Sequence, residues 1–378
     1  MGSTYDNLGD YKKAIDYLQQ SLAIKREIGD REGEANSLGN LGLAYFSLGD
    51  YKKAIDYHQK SLDIDREIGD RKGEAISLIG LGLAYNNLGK YKKAIDYLQQ
   101  SLDIDREIGD REGEATSLTN LGSAYDHLGN YKKAIDYLQQ SLAIKREIGD
   151  REGESKSLNN LGAAYFSLAN YKKAIDYYQK SLAIAREIGD REGEATSLTN
   201  LGVAYRNLGE YFKAIDYYQE SIAIQREIGH REGEANSLNN LGAAYFSLGE
   251  YFKGIDYYQK SLAIDREIGD RLGEADSLNN LGAAYFSLGD YKKAIDYLQQ
   301  SLDIAREIGH RKGEANSLNN LGNAYFSLGD YKKAIDYLQQ SLDIDREIGD
   351  RQGEASSLTN LGSAYSNLGD YKKAIDYY

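Results

Sequence analysis

Apolar residues along this chain recur at spacings of three and four residues, and the same pattern returns every 40 residues. In the stretch 31–48 the apolar residues fall on one face of a helix, because an α-helix turns once every 3.6 residues. In the stretch 51–68 they fall on two faces. The pattern predicts a helix that packs against one layer, followed by a helix that contacts both the helix before it and the helix after it.

The repeat is marked by a near-copy of Tyr-Lys-Lys-Ala-Ile-Asp-Tyr. A copy begins at Tyr11, Tyr51, Tyr91, Tyr131, Tyr171, Tyr211, Tyr251, Tyr291, Tyr331 and Tyr371. In the frame 31–70, eight full repeats span 31–350, with partial repeats at 1–30 and 351–378. We call the two helices of a repeat A and B. Stacked identical units without a linker predict one all-α solenoid over 1–378.

In the repeat at 31–70, each predicted helix ends at a Gly-Asp pair, Gly49-Asp50 and Gly69-Asp70. Glycine closes the last turn of a helix in the left-handed conformation, and aspartate caps the amides of the next helix. A connection this short predicts antiparallel helix pairs. The chain has no proline to interrupt them.

Composition narrows the function classes. The chain has no cysteine, so disulfides and thiolate chemistry are excluded, and a mean hydropathy of −0.62 argues against a membrane span. A net charge of −13 opposes binding to nucleic acid. We therefore expect a soluble, cytoplasmic protein that does not bind membranes or nucleic acid.

The residues of one repeat resemble a known family. Leu38-x2-Leu41-Gly42-x2-Tyr45, followed by Ala54 and a large residue at 58, resembles the tetratricopeptide pattern, with leucine at 38 where tryptophan often stands. The repeat of 40 residues is longer than the family's usual ~34, and no proline follows helix B. The chain looks most similar to animal spindle-orientation adaptors and bacterial multi-repeat proteins. The resemblance implies a right-handed α-solenoid and a protein-binding scaffold or sensor arm.

Variation among the copies indicates where a ligand would bind. The variable positions of helix A are those of Asn36, Gly39, Leu43 and Phe46, which lie opposite its apolar face. In tetratricopeptide solenoids this face of helix A lines a concave groove. By resemblance it is the candidate surface for a protein or peptide ligand.

One step away on helix A, asparagine recurs in almost every repeat, with Gly80 as the gap. The row consists of Asn40, Asn120, Asn160, Asn200, Asn240, Asn280, Asn320 and Asn360. Amides that both donate and accept can hold the backbone of an extended peptide. The alternative is that each asparagine bonds the backbone of a neighbouring repeat and sets the geometry between repeats.

Phenylalanine occupies one further groove position in five repeats, at Phe46, Phe166, Phe246, Phe286 and Phe326, and Arg206 replaces it in another. These residues are candidate anchors that select a partner. The alternative is that each ring packs between adjacent A helices. Apolar residues within 76–86, including Ile76 and Ile79, also predict a local hydrophobic pocket.

No residue pattern supports catalysis, a cofactor or a metal site. The four histidines, His58, His127, His230 and His310, never share the spacing of a helical metal site, and His230 and His310 only replace capping aspartates. The acidic residues recur at spacings typical of a solvated face. Lysine is absent from the groove positions of Gly39 and Leu43, which argues against the carboxylate clamp of relatives that bind chaperone tails.

Two departures from the repeat predict local weakness. Ala169 replaces a turn glycine, so we expect backbone strain there if the site requires a positive φ. Gly254 replaces the alanine of the closest helix crossing and is expected to loosen helix B of its repeat.

Three interpretations of function follow. The leading one is a non-catalytic scaffold that binds a partner segment in the groove. The second is a structural rod that stacks head to tail through uncapped terminal half-repeats, and the third is the sensor arm of a larger signalling protein. Residues 1–3 fit either a cloning remnant or the repeat pattern of Leu121-Gly122-Ser123.

Overall fold

The computed structural model describes residues 11–377, and these residues form nineteen helices without a strand. The prediction of an all-α fold is confirmed. The helices are α1 (Tyr11–Glu27), α2 (Arg31–Ser47), α3 (Tyr51–Ile68), α4 (Arg71–Asn87), α5 (Tyr91–Ile108), α6 (Arg111–His127), α7 (Tyr131–Glu147), α8 (Arg151–Ser167), α9 (Tyr171–Ile188), α10 (Arg191–Asn207), α11 (Tyr211–Glu227), α12 (Arg231–Ser247), α13 (Tyr251–Ile268), α14 (Arg271–Ser287), α15 (Tyr291–Glu307), α16 (Arg311–Ser327), α17 (Tyr331–Ile348), α18 (Arg351–Leu368) and α19 (Tyr371–Tyr377). Even-numbered helices are A helices and odd-numbered helices are B helices. The prediction for residues 1–3 lies outside the described residues.

The turns between helices have the predicted capping chemistry. Gly69 ends α3 in the left-handed conformation with φ of 75°, and the Asp70 carboxylate accepts a hydrogen bond of 2.9 Å from the Gly73 amide. His230 and His310, which were expected only to replace a capping aspartate, make no side-chain cap. An imidazole at these sites therefore leaves the first amides of α12 and α16 without the bond that aspartate supplies.

The chain divides into two compact units, Met1–Gly193 and Glu194–Tyr378. Within each unit the B helices pack against the A helices that precede and follow them, as predicted. The A helices of successive repeats also contact one another directly. The A helices therefore form one layer of each unit and the B helices form the other. A single solenoid over 1–378 stays a prediction.

The core of each repeat comes from the apolar faces read in the sequence. Leu38 and Leu41 of α2 are buried against Leu18 of α1 and Ile64 of α3. Burial of one leucine side chain contributes about 1.5–3 kcal/mol. Leu48, which the periodicity placed on this face, is exposed because it lies in the turn after α2.

Stacked tyrosines join helices A and B of each repeat. The rings of Tyr45 and Tyr57 lie 5.3 Å apart at an angle of 6°, and the same stack recurs through the described repeats. Lys53 places its ammonium group 4.8 Å from the centre of the Tyr45 ring. Stacking and cation–π contact on the surface of the core hold the two helices in register.

A buried glutamate connects successive repeats. Glu34, near the start of α2, accepts hydrogen bonds from Arg26 at 2.7 Å and from Arg31 at 2.5 Å, and Arg31 also pairs with Glu67 at the end of α3. Burial favours the neutral acid, but the hydrogen bonds from the two arginines outweigh it and lower the pKa of Glu34. The ion pairs therefore tie α1, α2 and α3 together at the ends of the B helices.

None of the helices within residues 11–377 combines the length and the apolar character that a membrane crossing requires.

Candidate functional site

The A-helix layer of each unit carries the candidate site. We call the surface formed by the positions of Asn36, Gly39, Asn40 and Leu43 the groove face. Asn36 is exposed and Leu43 is 53% exposed, whereas Gly39 is half-buried, and a Cβ atom there would lie 3.5 Å from Oγ of Ser61 on α3. The positions opposite the apolar face of helix A therefore differ in exposure. Those of Asn36 and Leu43 are open to a ligand, whereas that of Gly39 is partly covered.

In the second unit, three members of the asparagine row are hydrogen-bonded to asparagines outside the row. Each of them donates from Nδ2 to the Oδ1 atom of an asparagine that lies 41 residues earlier, on the preceding A helix. The bonds run from Asn280 to Asn239 at 3.0 Å, from Asn320 to Asn279 at 3.0 Å and from Asn360 to Asn319 at 3.1 Å. These asparagines therefore link successive repeats. The acceptor is a side-chain amide, whereas the alternative in the sequence analysis had predicted a backbone acceptor.

The acceptor asparagines were missed by the sequence analysis as a set. They precede the row by one residue, and the dipeptide Asn-Asn at 239–240, 279–280 and 319–320 is the signal that marks them. An amide has two donor hydrogens and an acceptor oxygen. One bond to a neighbour uses only part of this capacity, so a held amide can still bind a ligand.

A cavity of about 320 Å³ opens on the groove face of the second unit. The amides of Asn279, Asn316, Asn319 and Asn320 line it, and Lys312 lies at its edge. Of the predicted site residues the cavity contains Asn320, together with three asparagines that the prediction did not name. Its lining also includes Asp345 and Asp350 from the end of α17 and the following turn, so both donors and acceptors surround the space.

The remaining asparagines of the row occupy the same position on their A helices but differ in exposure. Asn40 and Asn160 are exposed, while Asn120, Asn200 and Asn240 are half-buried. The contact of any of these asparagines with a ligand stays a prediction.

The gap in the row at Gly80 has a steric cause. The ring of His58, on the preceding B helix, lies so close that a Cβ atom at position 80 would sit 2.5 Å from its Cε1 atom. Burial lowers the pKa of His58 to about 4, and its Nδ1 atom has no hydrogen-bond partner among the described residues. A neutral imidazole therefore fills the space that an asparagine side chain would need.

The predicted apolar pocket within 76–86 is an open surface. Ile76 is 58% exposed, whereas Ile79 is half-buried and packs against the core that surrounds Leu98. Together with Leu43, Ile76 makes this part of the first unit's groove face apolar.

The predicted phenylalanine anchors are half-buried. Each ring contacts the first tyrosine of the following B helix, with ring centres 5.2–5.4 Å apart. Phe286 also packs against the core formed by Leu298 and Leu318 on the next two helices. This packing follows the alternative in which the rings fill the junction of adjacent A helices, and it leaves only part of each ring for a ligand.

Polar residues at the same position also reach the next A helix. The Oδ1 atom of Asn86 lies 3.2 Å from Nδ1 of His127. Burial raises the pKa of Asp126, opposed by His127 and by a hydrogen bond with Ser167. The position is therefore a junction between repeats whether its residue is aromatic or polar.

Arg206 lies near two buried tyrosines of the second unit. Burial raises the pKa of Tyr258 to about 12 and also raises that of Tyr218, and the positive charge of Arg206 opposes both shifts. The Tyr218 hydroxyl has no partner within the described part of the chain. A role for Arg206 in selecting a partner stays a prediction.

Across residues 11–377, no group of three or more histidine, cysteine or acidic side chains is arranged to hold a metal ion. The groove face instead presents amides, hydroxyl groups and a few aliphatic side chains. This set of groups can form hydrogen bonds and apolar contacts.

A model of the family described as tetratricopeptide repeat matches five segments of the chain. The segments are residues 1–67, 73–147, 154–227, 233–307 and 313–378. No curated protein is similar enough in sequence to match the chain.

Solved structures of similar fold include three that cover most of this chain. The apo form of the quorum sensor NprR from B. thuringiensis is 17% identical, with a TM-score of 0.61 over 94% of this chain and 97% of that one. Aspartyl phosphate phosphatase F from Bacillus subtilis is 17% identical, with a TM-score of 0.62 over 91% of both chains. A STAND protein with a tetratricopeptide repeat sensor from Pyrococcus horikoshii is 20% identical, with a TM-score of 0.60 over 85% of this chain and 51% of that one. At these identities the likeness concerns the fold.

Proposed function

The chain belongs to the tetratricopeptide repeat family, and on that premise we propose that it is a protein-interaction scaffold whose groove face binds an extended segment of a partner protein. The observation that carries the proposal is the cavity lined by the amides of Asn279, Asn316, Asn319 and Asn320. Amides held at repeat spacing can pair with the N–H and C=O groups of an extended backbone.

The hydrogen bonds between repeats support this role. Asn320 and Asn279 hold each other by a bond of 3.0 Å, so their amides lose little side-chain freedom when a ligand arrives. Groups that are ordered before binding lower the entropic cost of association. The same hydrogen bond joins successive repeats and orders the amides that would bind a ligand. The two roles considered for the asparagine row, ligand binding and contact between repeats, are therefore compatible.

Selectivity would come from the positions that change between repeats. The position of Asn36 carries Ile76 in the first unit and Asn316 in the second, and it is exposed in α2. The half-buried phenylalanines and Arg206 contribute at the edges of the groove face. A segment bound to the first unit would place apolar side chains near Ile76, and a segment bound to the second unit would place polar groups near Asn316.

The test uses a block that leaves the asparagine bonds intact. Asn316→Lys together with Ser356→Lys places two long side chains in the cavity, and Lys156 shows that the position accepts lysine. The wild-type chain and this variant are each immobilised and exposed to source-cell extract. Proteins held by the wild type are identified by mass spectrometry, purified, and titrated against both forms.

The control is Gln340→Lys with Gln300→Lys on exposed positions of the B helices, where Lys60 and Lys180 stand in other repeats. We expect the purified partner to bind the wild type and the control equally and the groove variant at least tenfold more weakly. Equal binding to all three forms would contradict the groove proposal. Circular dichroism melts confirm that each form is folded.

The sensor arm of a larger signalling protein is a second candidate. Its support is the printed names of two structures of similar fold, a quorum sensor and a STAND protein with a tetratricopeptide repeat sensor. This chain spans about half of the STAND protein. Sequencing of the intact gene tests it, because this candidate requires a further signalling domain in the same reading frame.

A further inference from the structure

Four B helices carry a buried aspartate near their last turn, and none of these carboxylates forms an ion pair within residues 11–377. They are Asp65, Asp105, Asp265 and Asp345, each at most 3% exposed. Each accepts a hydrogen bond from a serine of the next A helix instead. The buried Glu34, in contrast, is paired with two arginines. A buried carboxylate without a cation is costly, so these sites differ from the rest of the chain.

Asp345 has one carboxylate oxygen that no described residue uses. Its Oδ2 atom accepts hydrogen bonds from Oγ of Ser357 at 3.0 Å and from Oγ of Ser341 at 3.4 Å, and Oδ1 receives none. A Cβ atom added at Gly353 would lie 2.5 Å from Oδ1. Asp345 and Gly353 both line the cavity on the groove face. The free oxygen can therefore accept a hydrogen bond from a group that enters the cavity.

The cations around this aspartate are paired with other carboxylates. Lys312, at the edge of the cavity, is 66% exposed at its side chain, and its ammonium group lies 3.7 Å from the Asp350 carboxylate. Arg346 and Arg351 both bind the carboxylate of Glu354. The charge of the buried aspartate therefore stays without a counter-ion in this part of the chain.

The pKa of Asp345 reflects this lack of a cation. Burial raises the pKa, the hydrogen bond from Ser357 opposes the rise, and the negative charge of Asp350 adds to it. In Glu34 the arginines outweigh burial and lower the pKa. A positive group near Asp345 would remove the same electrostatic cost.

Two other repeats show that a cation fits at this place. At the position of Asp345, α1 has Lys25 and α7 has Lys145. The Lys145 ammonium group lies 2.7 Å from the carboxylate of Asp150, which caps the next A helix, and Lys25 makes the equivalent pair at 2.5 Å. A Cβ atom at Gly153 would lie 2.7 Å from Cδ of Lys145, so the lysine chain runs past the same glycine position.

From these observations we infer that the cavity binds the ammonium or guanidinium group of a lysine or arginine in the partner segment, with Asp345 as the counter-ion. The inference rests on the proposed groove function and adds the class of side chain that the groove selects. A cationic group donates charge-assisted hydrogen bonds to Oδ1, and the oxygens of the lining amides are further acceptors. An apolar side chain in the cavity would leave Oδ1 without a donor.

The first unit contains a matched site with a different lining. A Cβ atom on the glycine that faces Asp105 would lie 2.6 Å from its Oδ1 atom, as in the second unit. Ile76 and Ile79 stand there in place of Asn316 and Asn319. Aliphatic side chains cannot accept hydrogen bonds from a cation, so substitutions at Asp105 serve as controls for those at the cavity.

The probe is a short fluorescein-labelled peptide of alternating alanine and serine with arginine, lysine or citrulline at its centre. Citrulline has the shape of arginine without its charge. Each peptide is titrated into the full chain at about pH 8, well above the ordinary aspartate pKa of 3.8, and binding is followed by anisotropy. The variants are Asp345→Ala, with the residue found at Ala305, and Asp345→Lys, with the residue found at Lys145. Asp105→Ala and Asp105→Lys match their changes in net charge.

We expect the wild type to bind the arginine or lysine peptide about tenfold more tightly than the citrulline peptide. Asp345→Ala removes the counter-ion and Asp345→Lys places an ammonium group of the chain itself in the cavity. Both should lower the affinity for the cationic peptide to that for citrulline, while both Asp105 variants bind as the wild type does. The difference should persist at about 0.5 M salt, because a buried pair is screened less than attraction to the net charge of −13.

Two results with the peptides would overturn the inference. The first is equal affinity of the wild type for the arginine, lysine and citrulline peptides, including no binding to any of them. The second is an equal loss in the Asp345 and Asp105 variants, which would show attraction by net charge alone. Melts should show each variant folded, since alanine and lysine occupy this position in other repeats.

The partner purified from extract separates this inference from the groove proposal. If that partner is lost by Asn316→Lys with Ser356→Lys but binds Asp345→Lys as tightly as the wild type, the groove proposal stands and the inference fails. If both variants lose the partner while Asp105→Lys retains it, both are supported. If all forms bind the partner equally, both fail.

Discussion

The helix pairs α3–α4 in the first unit and α15–α16 in the second unit follow the same 40-residue frame but present different groove faces. In α4 the face carries Ile76 and Gly80, and in α16 the corresponding residues are Asn316 and Asn320. One pair therefore offers an apolar surface without the asparagine row. The other offers a cavity lined by amides.

The difference begins on the B helix. His58 of α3 lies against Gly80 of the next A helix, whereas Leu298 of α15 leaves room for Asn320. Both side chains also pack against a glycine of their own repeat, since an added Cβ would meet Cε1 of His58 at 2.7 Å from Gly42 and Cγ of Leu298 at 2.5 Å from Gly282. A single residue on one layer thus decides whether the other layer can continue the row.

The strongest test of this comparison is to restore the row in the first unit. Gly80→Asn puts a Cβ against the His58 ring, so overpacking should cost about 2–3 kcal/mol. The helix propensity of asparagine exceeds that of glycine, so a loss cannot come from the helix itself. Urea unfolding followed by circular dichroism measures the change.

The matched control is His58→Leu combined with Gly80→Asn, which reproduces the pair Leu98 and Asn120 of the next repeat. We expect the double variant to regain most of the lost stability. A double variant as unstable as Gly80→Asn alone would show that the ring of His58 is not the obstacle.

The same two helix pairs differ at the end of the B helix. Asp65 of α3 is buried and accepts a hydrogen bond of 2.9 Å from Ser77, whereas α15 has Ala305 and the Oγ atoms of Ser301 and Ser317 lie 3.0 Å apart. Burial raises the pKa of Asp65, and the nearby charges of Asp70 and Glu74 raise it further. Ionisation of the buried Asp65 carboxyl group therefore destabilises the folded protein.

The folded protein holds the Asp65 proton to a higher pH than the unfolded chain does. Its stability should therefore fall as pH rises from the ordinary value of 3.8 through the raised folded-state pKa. Asp65→Ala should raise the free energy of unfolding by about 1–2 kcal/mol at pH 8 and have little effect at pH 3.5.

Asp265→Ala should show the same pH dependence, because burial raises the pKa of Asp265 to about 6. Asp63→Ala, at an exposed position of α3, is the control, and any gain from alanine's helix propensity should be equal at pH 8 and pH 3.5. Equal effects of Asp65→Ala at both pH values would contradict the assignment.

Ala169 tests whether the turns of the shared 40-residue frame require a residue in the left-handed conformation. It has φ of 55° and is the non-glycine residue with positive φ in the described chain, at a site where the other turns have glycine. The site does require the left-handed conformation, so Ala169→Gly should stabilise the protein by about 1 kcal/mol. A thermal melt measures the gain, and a lower melting temperature would refute the strain.

The smallest expected effect concerns the row itself. Asn320→Ala removes the bond of 3.0 Å to Asn279, and we expect a loss of about 0.5 kcal/mol, since alanine's helix propensity offsets part of the lost hydrogen bond. Asn120→Ala is the control, because its counterpart on the preceding A helix is Ile79 and not an amide. Equal losses at both sites would show that the bond between repeats contributes nothing.

Local features of the chain were predictable from the sequence. The helix bounds, the glycine turns and the aspartate caps depend on residues within four positions of each other, so the 40-residue pattern contains them. The periodicity failed at Leu48, because a residue just past a helix end no longer follows the helical face. The sequence left open whether Phe286 is an exposed anchor or packs between A helices, because its burial depends on contacts with the following helix pair.

The sequence by itself determined the repeat, the two-layer helix pattern and the turn at which Ala169 replaces glycine. Only the tertiary structure decided that Asn320 bonds Asn279 and that His58 excludes a side chain at Gly80. The physical reason is range. Helical turns and caps arise from neighbours along the chain, whereas the asparagine bonds join residues 41 positions apart, and their distance is set by how closely successive A helices pack.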